Sequence, residues 1–491
     1  MKKVIAVIIL LSLTAVFLSA CQSETPKVQT PDTPVDIPDT DGGGQSEPES
    51  TYWDILGERD FGGYTFTILD ANEKPDLWVN VAEELNGDPI NDALFNRNLF
   101  VEEKFGLKLK YEQIEGHGPG TKALRNSILA GDDLYDMIIG RCMSGELDGL
   151  ATNGSLYNLV GLPHLSLESP WWSRLMYQGL QFDGMLFFTM GDIVPSMYNG
   201  PTAMFFNKKM YQDYGRTDNL YELVFSGKWT LDVLERLTKD VYQDVNDDGK
   251  MHAHDDIFGL VLEHNSLASN KLAVSTGINL STIKDGTIAV DFNSQHVVDR
   301  VSKITQAYRT NEKVYPVELG ELHEIINRTF AENRAMFLVH FVESSILHLR
   351  AMEQDYGILP LPKYDEQQES YISFMNPWTC AFVGIPSSAD AERSAFVMEA
   401  MAYASYNTVR PKIYDVVFNH KASRDEESAQ IIDIIIESSY LDLNGIYNWG
   451  GSTDILSNAV FLGGEIVSAF EKAEPKIQSA IDKYIKSLDD N

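Results

Sequence analysis

The sequence predicts an α/β fold with room for two lobes, and three observations carry that expectation. A chain of 491 residues, 44% of them hydrophobic and 11% aromatic, is long enough to bury two separate cores. Its first folded part reads strand, helix, strand, helix, strand, an order that calls for a parallel sheet with right-handed crossovers. Late in the chain, Tyr356 to Pro386 holds two apolar runs on either side of a proline-stiffened connection. Pro360 and Pro362 end the first run because neither can donate a ladder hydrogen bond. The second run, Tyr371 to Ile385, is broken at Asn376-Pro377. Periodicity alone fits either a passage between lobes or an ordinary hairpin within one core.

Composition narrows the partners. Seventy-two acidic residues against 39 basic give a formal charge of −33, which repels phosphate backbones and makes nucleic acid a poor partner. Three cysteines are too few for a disulfide scaffold and lack metal-ligand spacing. Cys142 and Cys380 read as two buried thiols, or as a pair only if the fold brings them together.

Residues 1–20 have the three parts of a secretory signal: Lys2-Lys3, an apolar run from Val4 to Phe17, and Leu18-Ser19-Ala20 ahead of Cys21. The run is short for a membrane span. Leu18 to Cys21 resembles the lipobox of bacterial lipoproteins, which implies a lipidated Cys21 and a place on the outer face of the cell membrane. Residues 21–50 then hold five prolines, Gly42-Gly43-Gly44 and scarcely a large apolar side chain. Such a stretch cannot bury enough surface to fold, and as a leash it spans on the order of 30 Å.

In the first lobe, Tyr64 to Leu69 reads as a strand. Asp88 then caps a helix that has Pro89 at its first position and ends at Gly106. Ile90, Leu94, Val101 and Phe105 form its apolar stripe. Lys108 to Ile114 is the next strand, Thr121 to Ala130 a helix, and Tyr135 to Ile139 a third strand. Ligands in such sheets bind beyond the carboxyl ends of the strands, here Asp70 to Asn72, Glu115 to Gly118, and Arg141-Cys142, with Trp78 in the loop after the first. Gly116 to Lys122 lacks the spacing of a phosphate loop, and Pro119 removes an amide that phosphate would need; it reads as a glycine turn.

In the second lobe, Asp192 to Gly200 is a turn-rich connection, Ala203 to Phe206 a strand, and Thr230 caps a helix with Trp229 set to staple onto Leu234. Asp244 to Asp255 follows. Counted from Asp244, oxygen side chains (Asp244, Asn246, Asp248, Asp255) fall at positions one, three, five and twelve, with glycine at six and the Lys250 carbonyl at seven. The loop resembles those of EF-hands and dockerins, in a single copy and with Asp in place of Glu at the last position. It implies a structural Ca2+; the alternative is a metal-free Asp/Asn/Gly turn.

Taken in order, the parts resemble the family 1 extracellular solute-binding proteins of ATP-driven importers, the maltose-binding type. The resemblance runs from about Tyr64 to the end. It rests on the lipobox, Asn207-Lys208-Lys209 after a strand, Lys228-Trp229-Thr230 opening a helix, Phe330 to Met336 before the strand Phe337 to Val342, and Gly357 to Pro362. It implies a periplasmic-binding-protein-like fold of type II: two α/β lobes, residues 60–195 with 375–410 and residues 196–374 with 411–491, closing on a ligand in the cleft. It favours the crossing reading of Tyr356 to Pro386. It further implies a monomeric receptor without enzymatic activity that delivers a carbohydrate, expected to be an oligosaccharide, to ABC permease subunits. Where several sugar binders carry an aromatic residue after the Phe337 to Val342 strand, this chain has Glu343-Ser344-Ser345, suited to hydroxyls or to a cationic group.

Sugar sites combine aromatic platforms with amide and carboxylate partners. Trp378 and Trp449 are the first candidates, beside Asn376 and Gly450-Gly451, followed by Trp78. Arg141, Asp192, Tyr198, Asn199, Glu343 and Asn376 are the candidate hydrogen-bonding partners; each alternatively serves the surface or a cap. Trp171-Trp172 reads as one packed and one partly exposed wall residue. Competing readings are a glycan-active enzyme and a protein that presents ligand to a sensor. The adjacent carboxylate pairs point apart rather than across a substrate, and the chain has no nucleophile elbow, zinc motif or dinucleotide fingerprint.

Overall fold

The structure is a computed structural model that describes residues 51–71, 80–116, 118–284, 286–309, 314–318, 322–418 and 426–489. Cys21 and Trp78 lie outside these residues.

Two sheets organise the chain. The first is built from β1 (Tyr64–Asp70), β2 (Leu107–Gln113) and β3 (Met137–Gly140), parallel in the order β3-β1-β2. The expected alternation of strand and helix therefore gives the expected parallel sheet. The helix Pro89–Phe105 between β1 and β2 begins where its cap requires: the Asp88 carboxylate accepts from the amides of Ile90 and Asn91. It ends at Gly106, which is left-handed at φ 61°. Its stripe of Leu94, Val101 and Phe105 is buried against the sheet. Gly118 precedes the helix Pro119–Ala130 as a left-handed turn residue.

The second sheet takes β4 (Thr202–Asn207), β5 (Phe258–His264), β8 (Val314–Glu318), β9 (Ala335–Phe341) and β10 (Tyr356–Leu359) in the order β10-β4-β9-β5-β8. Here β5 runs parallel to β8 and β9, while β4 is antiparallel to β9 and β10. Between β5 and β8 the chain makes a small hairpin, β6 (Thr282–Lys284) with β7 (Thr287–Ala289).

The segment that starts in β10 ends in the first sheet, because β12 (Phe382–Gly384) pairs antiparallel with β3. Tyr356 to Pro386 thus passes from one sheet to the other. The run Tyr371 to Ile385 is two short strands: β11 (Ser373–Phe374) pairs with β13 (Ser439–Tyr440), and β12 follows only after a turn at Asn376–Thr379. Pro377 has no amide to continue a ladder, which explains the interruption.

One tryptophan gains a further role and one smaller expectation, that of an exposed Trp171 or Trp172, is corrected. Trp229 is fully buried, donates its indole N–H to the Pro360 carbonyl at 2.9 Å and lies 6.1 Å from the Phe337 ring; it ties the helix Leu231–Thr238 to the sheet. Trp171 and Trp172 are both buried, because both indole N–H groups donate to Glu399, at 3.0 and 2.8 Å. Tyr52 adds a third donor to the same carboxylate at 2.6 Å. An aspartate or glutamate inside a helix gives no sign in the sequence that three aromatic donors will meet on it.

Candidate functional site

Two stretches carry the chain between the sheets, and they lie side by side. The first follows Thr189, which bridges to Val383 of β12, and enters β4 at Thr202. The second runs from β11 to β12. Pro201 bridges to Met375, the Asn376 amide donates to the Gly200 carbonyl at 2.9 Å, and the Ala381 amide donates to Ser196 Oγ at 2.9 Å. Glycine at position 200 is required by this approach, since a Cβ there would run into Cys380 Sγ and Met375 Sδ.

The candidate residues collect around this junction. Arg141 follows the last residue of β3 and is 2% exposed. Its guanidinium lies 4.4 Å from the centroid of the Trp378 ring, and its Nη2 is 3.4 Å from Glu146 Oε1. Asn376 holds the tryptophan's backbone, its side-chain oxygen accepting from the Trp378 amide at 2.9 Å. Trp378 keeps part of its surface open, whereas its neighbours are buried. From the second sheet, Glu343 follows β9, and its amide donates to the Asn199 carbonyl at 3.0 Å. Arg141, Asn199, Glu343, Asn376 and Trp378 are thereby joined, through the two crossovers, at the strand ends of both sheets.

Beneath Glu343 lies a buried polar group that sequence reasoning did not find. Lys271 donates to Glu263 Oε2 at 2.7 Å, His340 Nε2 is 3.6 Å from Glu263 Oε1, and Ser344 Oγ is hydrogen-bonded to His340 Nδ1. The Lys271 ammonium also lies 3.7 Å from the Phe341 ring centroid. All four polar residues are essentially inaccessible. A charge this deep persists only when paired and hydrogen-bonded, so the group ties the end of β9, through His340, to the start of the helix Glu343–Leu347, through Ser344. The available signal was the interruption of two apolar strands, by Glu263 in β5 and by His340 in β9.

The remaining described candidates have their side chains engaged with other partners. Asp192 and Tyr198 are buried and bonded to each other, the tyrosine donating, and Tyr198 packs 5.9 Å from Tyr414 at the end of the helix Ala391–Ile413. Burial pushes the Asp192 carboxyl up to about 7, against the opposing pull of the Tyr198 hydroxyl and the Arg410 guanidinium. Trp449 is 4% exposed, stacks on Tyr447 at 5.6 Å and lies 5.4 Å from Tyr484 of the last helix. Cys142 and Cys380 are free and buried, and burial pushes both thiols up, which keeps them protonated and poor nucleophiles at neutral pH.

In the acidic loop, the Asp244 carboxylate accepts from the amides of Asp248 (3.3 Å) and Gly249 (2.8 Å), Asn246 from Asp248 (3.1 Å), and Asp248 from Lys250 (2.8 Å). Asp255 is exposed, while the neighbouring Asp256 turns inward to the amides of Val245 and His252. Among the described residues, no three His, Cys, Asp or Glu side chains converge so as to hold a metal ion.

No protein-family model and no curated protein matches the chain. Solved structures do. The cyclic alpha-maltosyl-1,6-maltose binding protein of Arthrobacter globiformis aligns with a TM-score of 0.58 at 11% identity, covering 86% of this chain and 99% of that one. An ABC substrate-binding protein of Listeria monocytogenes, solved with cycloalternan, aligns at 0.52 with 12% identity over 86% of this chain and 99% of its own. UgpB of Mycobacterium tuberculosis, solved with glycerophosphocholine, aligns at 0.51 with 14% identity over 86% and 99%. The chain has the two-lobed, periplasmic-binding-protein-like α/β fold of the ABC substrate-binding proteins.

Proposed function

We propose that this protein is a receptor of the family 1 solute-binding type, which takes a carbohydrate between its lobes and passes it unchanged to an ABC importer. The observation that carries the reading is the junction itself. An aromatic face (Trp378) backed by a guanidinium (Arg141), with amide and carboxylate residues (Asn376, Asn199, Glu343) from both crossovers and both sheets, is the mixture a sugar's C–H faces and hydroxyls require. Two of the structural relatives named above carry saccharides in their descriptions, which supports the ligand class. A guest held by groups from both lobes favours the closed arrangement by its greater affinity for it. The buried, protonated thiols favour a binding role over nucleophilic chemistry. Lipid on Cys21 and the leash to residue 50 would hold the receptor at the outer membrane face.

A glycan panel read by thermal shift, with product analysis of each mixture, tests the proposal. The expected result is a ligand that raises the melting temperature and is recovered intact; a consumed ligand would make the protein an enzyme.

Calcium belongs to the proposal as a lobe brace, with the Asp244 and Asp248 carboxylates keeping lone pairs for the ion beside their bonds to the loop amides. Titration of chelator-stripped protein should then give one calcium event that Asp248→Ala abolishes; no heat at millimolar calcium removes the ion from the proposal.

A further inference from the structure

Away from the junction residues, the molecule carries a groove of about 710 Å3, within the size range of small-molecule sites. It opens where the helix Arg174–Leu180, which precedes the first crossover, meets the helices Leu220–Phe225 and Glu426–Glu437 packed on β10. Leu175 forms part of one wall; Phe225, Tyr371 and Tyr440 supply aromatic surface. Phe225 is 39% exposed although it ends a helix whose Val224 is buried. Among the described residues, the charged side chains lining the groove are Glu369 and Glu437, both exposed. The Lys363 ammonium stands behind Gly227, where an added Cβ would lie 3.2 Å from it, and it donates to the Gln368 carbonyl at 2.7 Å and lies 5.5 Å from the Tyr371 ring centroid.

We propose that this groove is a second binding site, for an organic cation with an apolar or aromatic body, such as a quaternary ammonium or an arylalkyl amine. The apolar floor removes the body from water. The positive head meets the rim carboxylates, and Phe225 and Tyr440 offer ring faces in the same groove, so charge attraction and cation–π attraction both favour a cation there. Among the described residues, no side chain lining the groove is cationic. A neutral saccharide can use the same ring and carboxylates through its C–H faces and hydroxyls, but only a cation gains from their two negative charges. The field of a chain carrying −33 charges raises the local concentration of any cation, but only a shaped site selects its body. This inference stands apart from the carbohydrate reading, since neither site borrows a residue from the other.

The test uses benzyltrimethylammonium as probe and neopentylbenzene as its uncharged isostere, followed by saturation-transfer NMR and calorimetry at 0.15 M salt. The cation is expected to bind about tenfold tighter than the isostere, the difference of a single good cation–π and charge contact. Glu369→Gln with Glu437→Gln, and separately Phe225→Ala, should each weaken it by about five- to tenfold. Glu471→Gln with Glu474→Gln removes the same charge from an exposed helix and should leave binding unchanged. All the substituted side chains are exposed, and an unchanged melting temperature checks the fold. Equal binding of the isostere, or equal losses in the two double variants, would overturn the proposal.

Discussion

The Arg141 guanidinium stands 4.4 Å from the centre of the Trp378 ring. The end of a first-sheet strand and the second crossover therefore touch through these two side chains. The same guanidinium is held through Nη2 by Glu146 at 3.4 Å, so the indole rests on a group that cannot readily swing away.

That contact makes the first prediction. If Trp378 is the platform for a sugar, Trp378→Ala should weaken the best glycan of the panel by about 1–3 kcal/mol and Trp378→Phe by less, since the phenyl ring keeps a face. Calorimetric Kd values check this. Unchanged affinity in Trp378→Ala removes the aromatic-platform part of the proposal.

The buried ion pair yields the second. Lys271→Met leaves the Glu263 carboxylate in the core without its 2.7 Å partner and should cost about 3–5 kcal/mol in denaturant unfolding. Adding Glu263→Gln should recover much of that loss, because the stranded charge is gone. A double variant no more stable than the single one would mean that packing, not charge, sets the cost.

Glu399 gives the third. Its two oxygens accept from Trp171, Trp172, Tyr52 and the Ser166 amide. Glutamine presents one oxygen and one donor, so Glu399→Gln turns an N–H toward an N–H or O–H and should destabilise by about 1–3 kcal/mol. Tryptophan emission from the buried pair should shift to the red in the native state if the hub loosens, and stay fixed if it does not.

The fourth concerns pH. Burial raises the Asp192 carboxyl to about 7 and the Asp442 carboxyl to about 6, above the ordinary value of 3.8. In both, the folded state holds the proton more tightly than the unfolded chain. Their contribution is therefore complete below about pH 4 and is lost as pH rises through 6 and 7, by at most about 1.4 kcal/mol per pH unit for each group. Asp192→Asn cannot ionise, so its stability should fall less steeply than the parent's between pH 5 and 8. Parallel profiles would show that Asp192 does not titrate in this window.

Local chemistry made much of the fold legible. Asp88-Pro89 and Gly106 set the limits of a helix, the alternation through Ile139 set a parallel sheet, and prolines 360 and 362 marked the exit from β10. Those signals act within a few residues of where they are written. What stayed hidden depends on partners far along the chain: Glu399 meets Tyr52 across 347 positions, and Trp171 with Trp172 is buried for that reason. The site divides the same way. Arg141 and Trp378 lay at recognisable element ends, whereas Trp449, also at an element end and beside Gly450-Gly451, stacks on Tyr447, and Asp255 occupies a ligand's position in the sequence while Asp256 is the carboxylate that turns inward. Spacing names a residue's place along an element; it does not say what stands opposite.

The paired crossovers have a mechanical consequence. Two ribbons laid edge to edge and stitched at Pro201–Met375 and Gly200–Asn376 form a flat strap, and a flat strap flexes across its thin dimension far more readily than it shears or corkscrews. If the lobes close on a guest as proposed, this strap is where the swing would be taken up, with the Arg141–Trp378 contact beside it.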